Sequence, residues 1–155
     1  PCGLNPKVLF GISPQGTLSG NEKQSADVQT WGQTAGYCDY LLPQIYFGFQ
    51  NSTAPFAETA AFWAEQVTCP DVSLWIGICT YKIGQQDTWA GDGMTEWQTD
   101  SQVVSKELEL LCNMDGIDGA AIYDYASTFQ PESSVSEILS SERDAIQVLL
   151  QTPAN

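Results

Sequence analysis

Four continuous apolar runs recur along the chain, at residues 8–13, 40–46, 74–81 and 120–125, and each is followed by a segment with helical patterning, at about residues 22–35, 56–67, 100–114 and 134–150. The runs are not alternating, as expected of parallel strands buried on both faces. Their starts lie 32, 34 and 46 residues apart. One strand–helix unit needs about thirty residues, so the first two spacings are nearly minimal and the third carries an insertion. The chain therefore reads as an α/β domain of four parallel βα units spanning residues 1–155. Two architectures use that grammar. One is an open doubly wound sheet, complete at this length; the other is half of a (β/α)8 barrel, whose full length is about 250 residues.

Charge narrows the partners. Nineteen acids face five bases, Lys7, Lys23, Lys82, Lys106 and Arg143, for a net charge of −14. Such a surface repels nucleic-acid phosphates and anionic membranes, and it keeps a protein dispersed. No apolar run approaches the roughly 18 residues of a membrane span. Histidine is absent, which removes Ser-His-Asp and Cys-His catalysis and the usual zinc sites. Cys2, Cys38, Cys69, Cys79 and Cys112 are odd in number and form no C-x-x-C pair. They read as buried thiols, with a single bridge left open. The sequence opens Pro-Cys-Gly without a Met or a leader-like stretch, so the expectation is a cut or processed end.

In either architecture ligands bind where strands end. The four ends read "GISPQG", "PQIYFGF", "TYKIG" and "IYDYAS". None is a glycine-rich phosphate cradle opening a helix, so no nucleotide cofactor is expected. They hold Gln15, Gln44, Tyr46, Tyr81, Lys82, Tyr123 and Tyr125 instead. Aromatic faces with amide and hydroxyl groups suit a neutral polyhydroxylated ligand such as a sugar. The bland alternative is a hydrophobic layer rimmed by phenols. Side-chain alternation sends Ser13, Gln44, Tyr46, Cys79, Tyr81, Tyr123 and Tyr125 inward. It sends Val8, Phe10, Ile12, Ile45, Phe47, Ile76, Ile78 and Ile122 toward helices. The connection 83–99 is long, polar and carries Trp89 and Trp97, which marks it as a functional loop.

Glycoside hydrolysis calls for two carboxylates roughly 5–9 Å apart. Asp124 is the acid within a strand end, and its parity with Ile122 points it at the helices. Asp87, Asp92 and Glu96 lie in the long loop, which lacks calcium-loop spacing and reads as solvated. Asp39 and Asp118 sit at strand beginnings, the stability face. Lys82 reads as an exposed lysine that can offer charge or a hydrogen bond. No acid/base pair and no metal site is legible in these 155 residues.

The segments "NPKVLFGISPQG", "GYCDYLLPQIYFGF", "PFAETAAFW", "TYKIG", "WAGDG…EW" and "DGAAIYDYAS" together resemble the glycosyl-hydrolase-like family 10. These are bacterial proteins, often gut-associated, assigned as glycoside hydrolases on a (β/α)8 barrel. The resemblance runs from Asn5 to the last helix. It implies that "FGISPQG", "PQIYFG", "TYKIG" and "DGAAIYDY" are the fifth to eighth barrel strands. The family's acidic fourth-strand motif would then precede this sequence. Carried over residue by residue, the resemblance implies roles for Ser13, Gln15, Gln44, Tyr46, Tyr81, Lys82 and Tyr125. The family usually has small hydroxyl residues where Asp124 and Ala126 stand here.

The expectation is thus the C-terminal half of a barrel from a glycoside hydrolase, acting on oligo- or polysaccharide outside the cell or at its surface. In it the strand ends and the Trp89/Trp97 loop form half of a carbohydrate cleft, with no cofactor. A second reading is a non-catalytic carbohydrate-binding scaffold. Its open sheet edges would be closed by a homodimer; in the first reading the missing N-terminal half-barrel closes them. A third is a flavodoxin-like small-molecule domain, for which "SPQGTLSGNE" is a poor anion-binding turn.

Overall fold

Two prolines decide where the sheet is regular. In the computed structural model, which describes residues 7–151, the strands are β1 (Gly11–Ile12), β2 (Tyr40–Leu41), β3 (Ser73–Cys79) and β4 (Gly119–Tyr123). The first two are far shorter than the apolar runs that contain them. Pro14 and Pro43 have no N–H to give to a ladder. The Leu42 carbonyl is met instead by the Ser13 hydroxyl, at 2.9 Å. Beyond the prolines, pairing resumes as single bridges, Gln15 with Gln44 and Gln44 with Gly77.

All pairings are parallel and the order is β1-β2-β3-β4. The register sets Gly11 beside Tyr40, Tyr40 beside Ser73, and Trp75 to Cys79 beside Gly119 to Tyr123. Strands laid down in sequence order, without the reversal that defines a doubly wound sheet, are consistent with half of a βα barrel.

Helices fill the connections: α1 (Leu18–Lys23), α2 (Val28–Gln33), α3 (Phe56–Gln66), α4 (Glu96–Thr99), α5 (Val103–Cys112), α6 (Tyr125–Phe129) and α7 (Ser136–Gln151). The single helix expected over 22–35 is two short ones. Ser25 takes a positive φ of 57°, and Asp27 then caps a new start by accepting from the Thr30 N–H.

The core lies on one face of the sheet. Leu74, Ile76 and Ile78 of β3 pack there with Phe56, Ala60 and Trp63 of α3 and with Val103, Val104 and Leu111 of α5. Burying each of those isoleucines stabilises the fold by about 1.5–3 kcal/mol. The opposite face is open: Trp75, one residue from Leu74 and Ile76, is 40% exposed. Burial on both faces, expected from the sequence, is found only in the second half of β3, where Gly77 and Cys79 are buried as well as Ile76 and Ile78. Val8 and Phe10, expected against helices, are exposed beside β1, and Ile122 is exposed on β4. Both strands are sheet edges.

Aspartates lock the strand entrances. Asp39 accepts from the Phe10 N–H at 2.6 Å, and Asp118 from the Leu74 N–H at 2.9 Å. Among the described residues no helix is long and apolar enough to cross a membrane.

Candidate functional site

Because side chains alternate, the open face collects every second residue of each strand. Toward the carboxyl ends this gives a cavity of about 540 Å³ lined by Ser13, Gln44, Tyr46, Gly77, Tyr81 and Tyr123, among others. Toward the strand beginnings a second hollow, of about 600 Å³, is lined by Leu9, Tyr40, Leu42 and Trp75 among others. Its walls also hold Asp39, Asp71 and Ser73, with Asp39 committed to the Phe10 N–H at the strand entrance; the aromatic and amide groups singled out from the sequence sit at the carboxyl end.

Three phenols form one platform there. Tyr46 and Tyr123 stack, with centroids 5.7 Å apart and planes at 21°. Tyr81 stands edge-on to both, at 6.0 and 6.1 Å and nearly perpendicular. Burial, with the nearby Cys79 and the neighbouring phenols, pushes Tyr81 up to about 12. Burial likewise raises Tyr46, with Cys79 and Tyr123 adding to it. Both keep their protons at ordinary pH, so they offer neutral hydroxyls and ring faces.

The polar groups beside the rings are partly committed. Ser13 spends its proton on Leu42, and the Gln44 amide nitrogen donates to the Ser13 carbonyl at 3.1 Å. What remains is the Gln44 amide oxygen as an acceptor and the second N–H of its amide as a donor, which suits a ligand whose hydroxyl groups both give and accept hydrogen bonds. No carboxylate is among the side chains lining this cavity, so it can hold a ligand but supplies no acid/base pair.

Several residues singled out from sequence stand elsewhere. Gln15 is exposed, and its backbone is held by Asn21, whose side chain both accepts from and donates to it. Tyr125 is not an inward strand residue: β4 ends at Tyr123, and Tyr125 begins α6 and packs on Phe129 at 5.0 Å. Asp124 lies between them after a cis peptide bond. It faces neither helix layer nor cavity as a free acid. Its carboxylate caps α6 by accepting from the Ser127 N–H at 2.8 Å, the reciprocal arrangement of a capping box. Parity misplaced these residues because the strand had already ended.

The long connection is not a solvated loop. Trp97 is 1% exposed and belongs to the core, so it cannot line a cleft. Only Trp89 projects, 88% exposed. Lys82, expected exposed, is 18% exposed, and it pairs with Asp87, 4% exposed, at 2.6 Å. Glu96 is buried and accepts from the Phe49 and Gln50 N–H groups at 3.0 and 2.9 Å. Gly48 makes that approach possible: a Cβ there would lie 2.0 Å from a Glu96 carboxylate oxygen.

A buried acid also escaped the sequence reading. Glu107 is 0% exposed and neither carboxylate oxygen has a hydrogen-bond partner. Burial, then the charges of Glu142 and Glu96, drive it well above the usual carboxylate range. The signal was present: Val103, Glu107 and Leu111 recur every four residues on the buried face of α5. Glu142 of α7 is buried beside it and caps α5 in trans, accepting from Val104 and Ser105 N–H at 2.9 and 3.0 Å. Among the described residues no three His, Cys, Asp or Glu side chains gather so as to hold a metal ion. The described cysteines, Cys38, Cys69, Cys79 and Cys112, are unbridged.

The model of the family "glycosyl hydrolase-like 10" matches residues 3–91. Glycosyl hydrolase DigH of Escherichia coli strain K12 is 29% identical over 156 aligned residues, covering 88% of this chain and 34% of that protein. Glycosyl hydrolase YngK of Bacillus subtilis is 34% identical over 94 residues, covering 50% of this chain and 18% of its own length. The chain thus spans about a third or less of the curated relatives it matches. No solved structure matches it. The chain belongs to the glycosyl hydrolase-like 10 family.

Proposed function

We propose that the open sheet face is half of a carbohydrate cleft. Tyr46, Tyr81 and Tyr123 present rings and hydroxyls to a neutral sugar, and Gln44 accepts from its hydroxyl groups. The observation that carries this reading is the three-ring platform around the 540 Å³ cavity at the strand ends. In the complete barrel the reaction is hydrolysis of a glycosidic bond. Its principal acid comes from βα units outside this sequence, because the acids nearest the platform are occupied: Asp124 caps α6 and Asp87 is paired with Lys82. The substrate is an oligo- or polysaccharide met outside the cell or at its surface, which fractionation of the native protein would check.

The exposed Val8, Leu9 and Phe10 beside β1, and the exposed Trp75 within the open face, support closure by further strands of the same polypeptide. An unpaired edge of this kind is otherwise an aggregation site. A second copy of this chain could close the barrel in the same way, and light scattering that returns a monomer excludes it. The sugar reading is tested by titrating glycans against Tyr46→Ala and Tyr81→Ala in the full-length protein. Each is expected to weaken binding about tenfold, roughly one aromatic contact. Unchanged affinity in both would sink it.

A further inference from the structure

In a chain with five basic residues against nineteen acids, one lysine is committed to a nearly buried pair. Lys82 Nζ lies 2.6 Å from Asp87 Oδ2 and donates to the Tyr46 carbonyl, also at 2.6 Å. A pair of this kind adds little net stability, because desolvation offsets the attraction. Its geometry is the informative part.

At one end the lysine holds the backbone of Tyr46, whose ring lines the cavity. At the other, Asp87 shapes the turn that carries Trp89. Its second carboxylate oxygen accepts from the Trp89 N–H at 3.2 Å, its N–H donates to the Met94 carbonyl, and its carbonyl accepts from Ala90. The far side of that turn is tied to the segment after β2. Ser52 N–H donates to the Ala90 carbonyl, and Asp92 N–H donates to the Ser52 hydroxyl. Trp89 is therefore an indole 88% exposed on a backbone fastened from both sides. A large apolar ring kept in water on a fixed support is a contact surface awaiting a partner.

We infer that Lys82 is a positioning residue, not a sugar contact. Through Asp87 and the Tyr46 carbonyl it sets Trp89 at a fixed place relative to the tyrosine platform. Trp89 is then an outlying stacking surface for a sugar unit beyond the cavity, and the ligand is a neutral glycan of several units that engages both. This rests on the carbohydrate reading above.

The test is calorimetric titration of the full-length protein with cello-oligosaccharides and N-acetylchito-oligosaccharides of one to six units. Affinity is expected to rise with length. Trp89→Ala should weaken the longest ligand about three- to tenfold and leave the shortest that binds unchanged. Lys82→Met should show the same length-selective loss, and the double variant should be no worse than either single one, since both remove one shared contact. Asp87→Asn gives the same comparison should Lys82→Met fail to fold. Lys82→Met weakening the shortest and longest ligands equally would place its effect at the tyrosine platform, by direct contact or through Tyr46, and overturn the inference. So would an intact length dependence in Lys82→Met, or losses that add in the double variant. Absence of any binding by the unaltered protein would instead overturn the carbohydrate reading itself, and this inference with it.

Discussion

Tyr46 and Tyr123 stack face to face at 5.7 Å although the strands that lead to them, β2 and β4, are separated by β3. The strand between them carries small inward residues, Gly77 and Cys79. A Cβ on Gly77 would lie 3.6 Å from Tyr46 Cε1 and 3.1 Å from the Pro43 carbonyl. Gly77→Val is therefore expected to push the two rings apart and cost about 1–3 kcal/mol of stability through overpacking. Thermal unfolding measures the cost. Loss of glycan affinity at a temperature where the variant is still folded would show that the stack itself matters.

Glu107 makes stability depend on pH. Its folded-state value lies well above 4.5 because of burial and the neighbouring Glu142 and Glu96, so the folded chain holds a proton that the unfolded chain releases. Its contribution is thus fully present below about 4.5, the unfolded value, and is lost as pH rises toward the folded one. Glu107→Gln should flatten that decline as pH rises above about 4.5. Glu107→Met, which also removes the unpartnered oxygens, should raise stability at neutral pH by about 1–3 kcal/mol. Melting curves across that range decide; a steeper decline in Glu107→Gln would refute the assignment.

Asp124 is predicted to matter as a cap. Asp124→Ala should cost about 1 kcal/mol, whereas Asp124→Asn, which can still accept from the Ser127 N–H, should cost little. If Asp124→Asn keeps its stability yet abolishes the proposed glycoside hydrolysis of the full-length protein, the carboxylate has a chemical role that its capping geometry does not reveal.

Gly48→Ala drives a methyl group into the Glu96 carboxylate. Displacing it leaves the Phe49 and Gln50 N–H groups without their acceptor, at about 1–3 kcal/mol for an orphaned buried donor. Hydrogen exchange at those two amides should accelerate, and a variant with unchanged exchange would argue that the carboxylate finds another route to them.

Thiol accessibility gives a further check. Cys112 is exposed, while Cys38 and Cys79 are buried, and burial pushes both of those thiols up. A maleimide probe on the native protein should modify Cys112 well before Cys79, read by mass spectrometry of tryptic peptides. Equal rates would mean that the sheet opens readily.

The four-unit plan was legible because apolar runs and helical periods alternate at near-minimal spacing, and burial of Leu74, Ile76 and Ile78 follows directly from β3's parity. Ser13, Gln44, Tyr46, Tyr81 and Tyr123 meet around one cavity for the same reason. Parity failed where a strand stopped early. Tyr125 and Asp124 were read as strand because nothing in "IYDYAS" announces a five-residue helix, although Asp124 followed three residues later by Ser127 is a capping pattern in retrospect. The connection 83–99 was misread because its polar composition suggested solvent. Asp92 is exposed as expected, but Asp87 and Glu96 are buried because each has a specific donor: Lys82 for Asp87, and backbone N–H groups for Glu96. Such pairings depend on tertiary placement and leave no trace in composition. Trp97 went wrong with them.

The ties between residues 46–52 and 82–96 settle when disorder is removed. Tyr46, Phe49, Gln50 and Ser52 are each held by a group from the later segment, so two neighbouring walls are set during folding and not when a ligand arrives. A recognition surface preorganised in this way loses little conformational entropy on association, and more of each contact appears as affinity. It also has little freedom to remould around a differently shaped chain. On the carbohydrate reading proposed above, such a wall favours one ligand geometry over others.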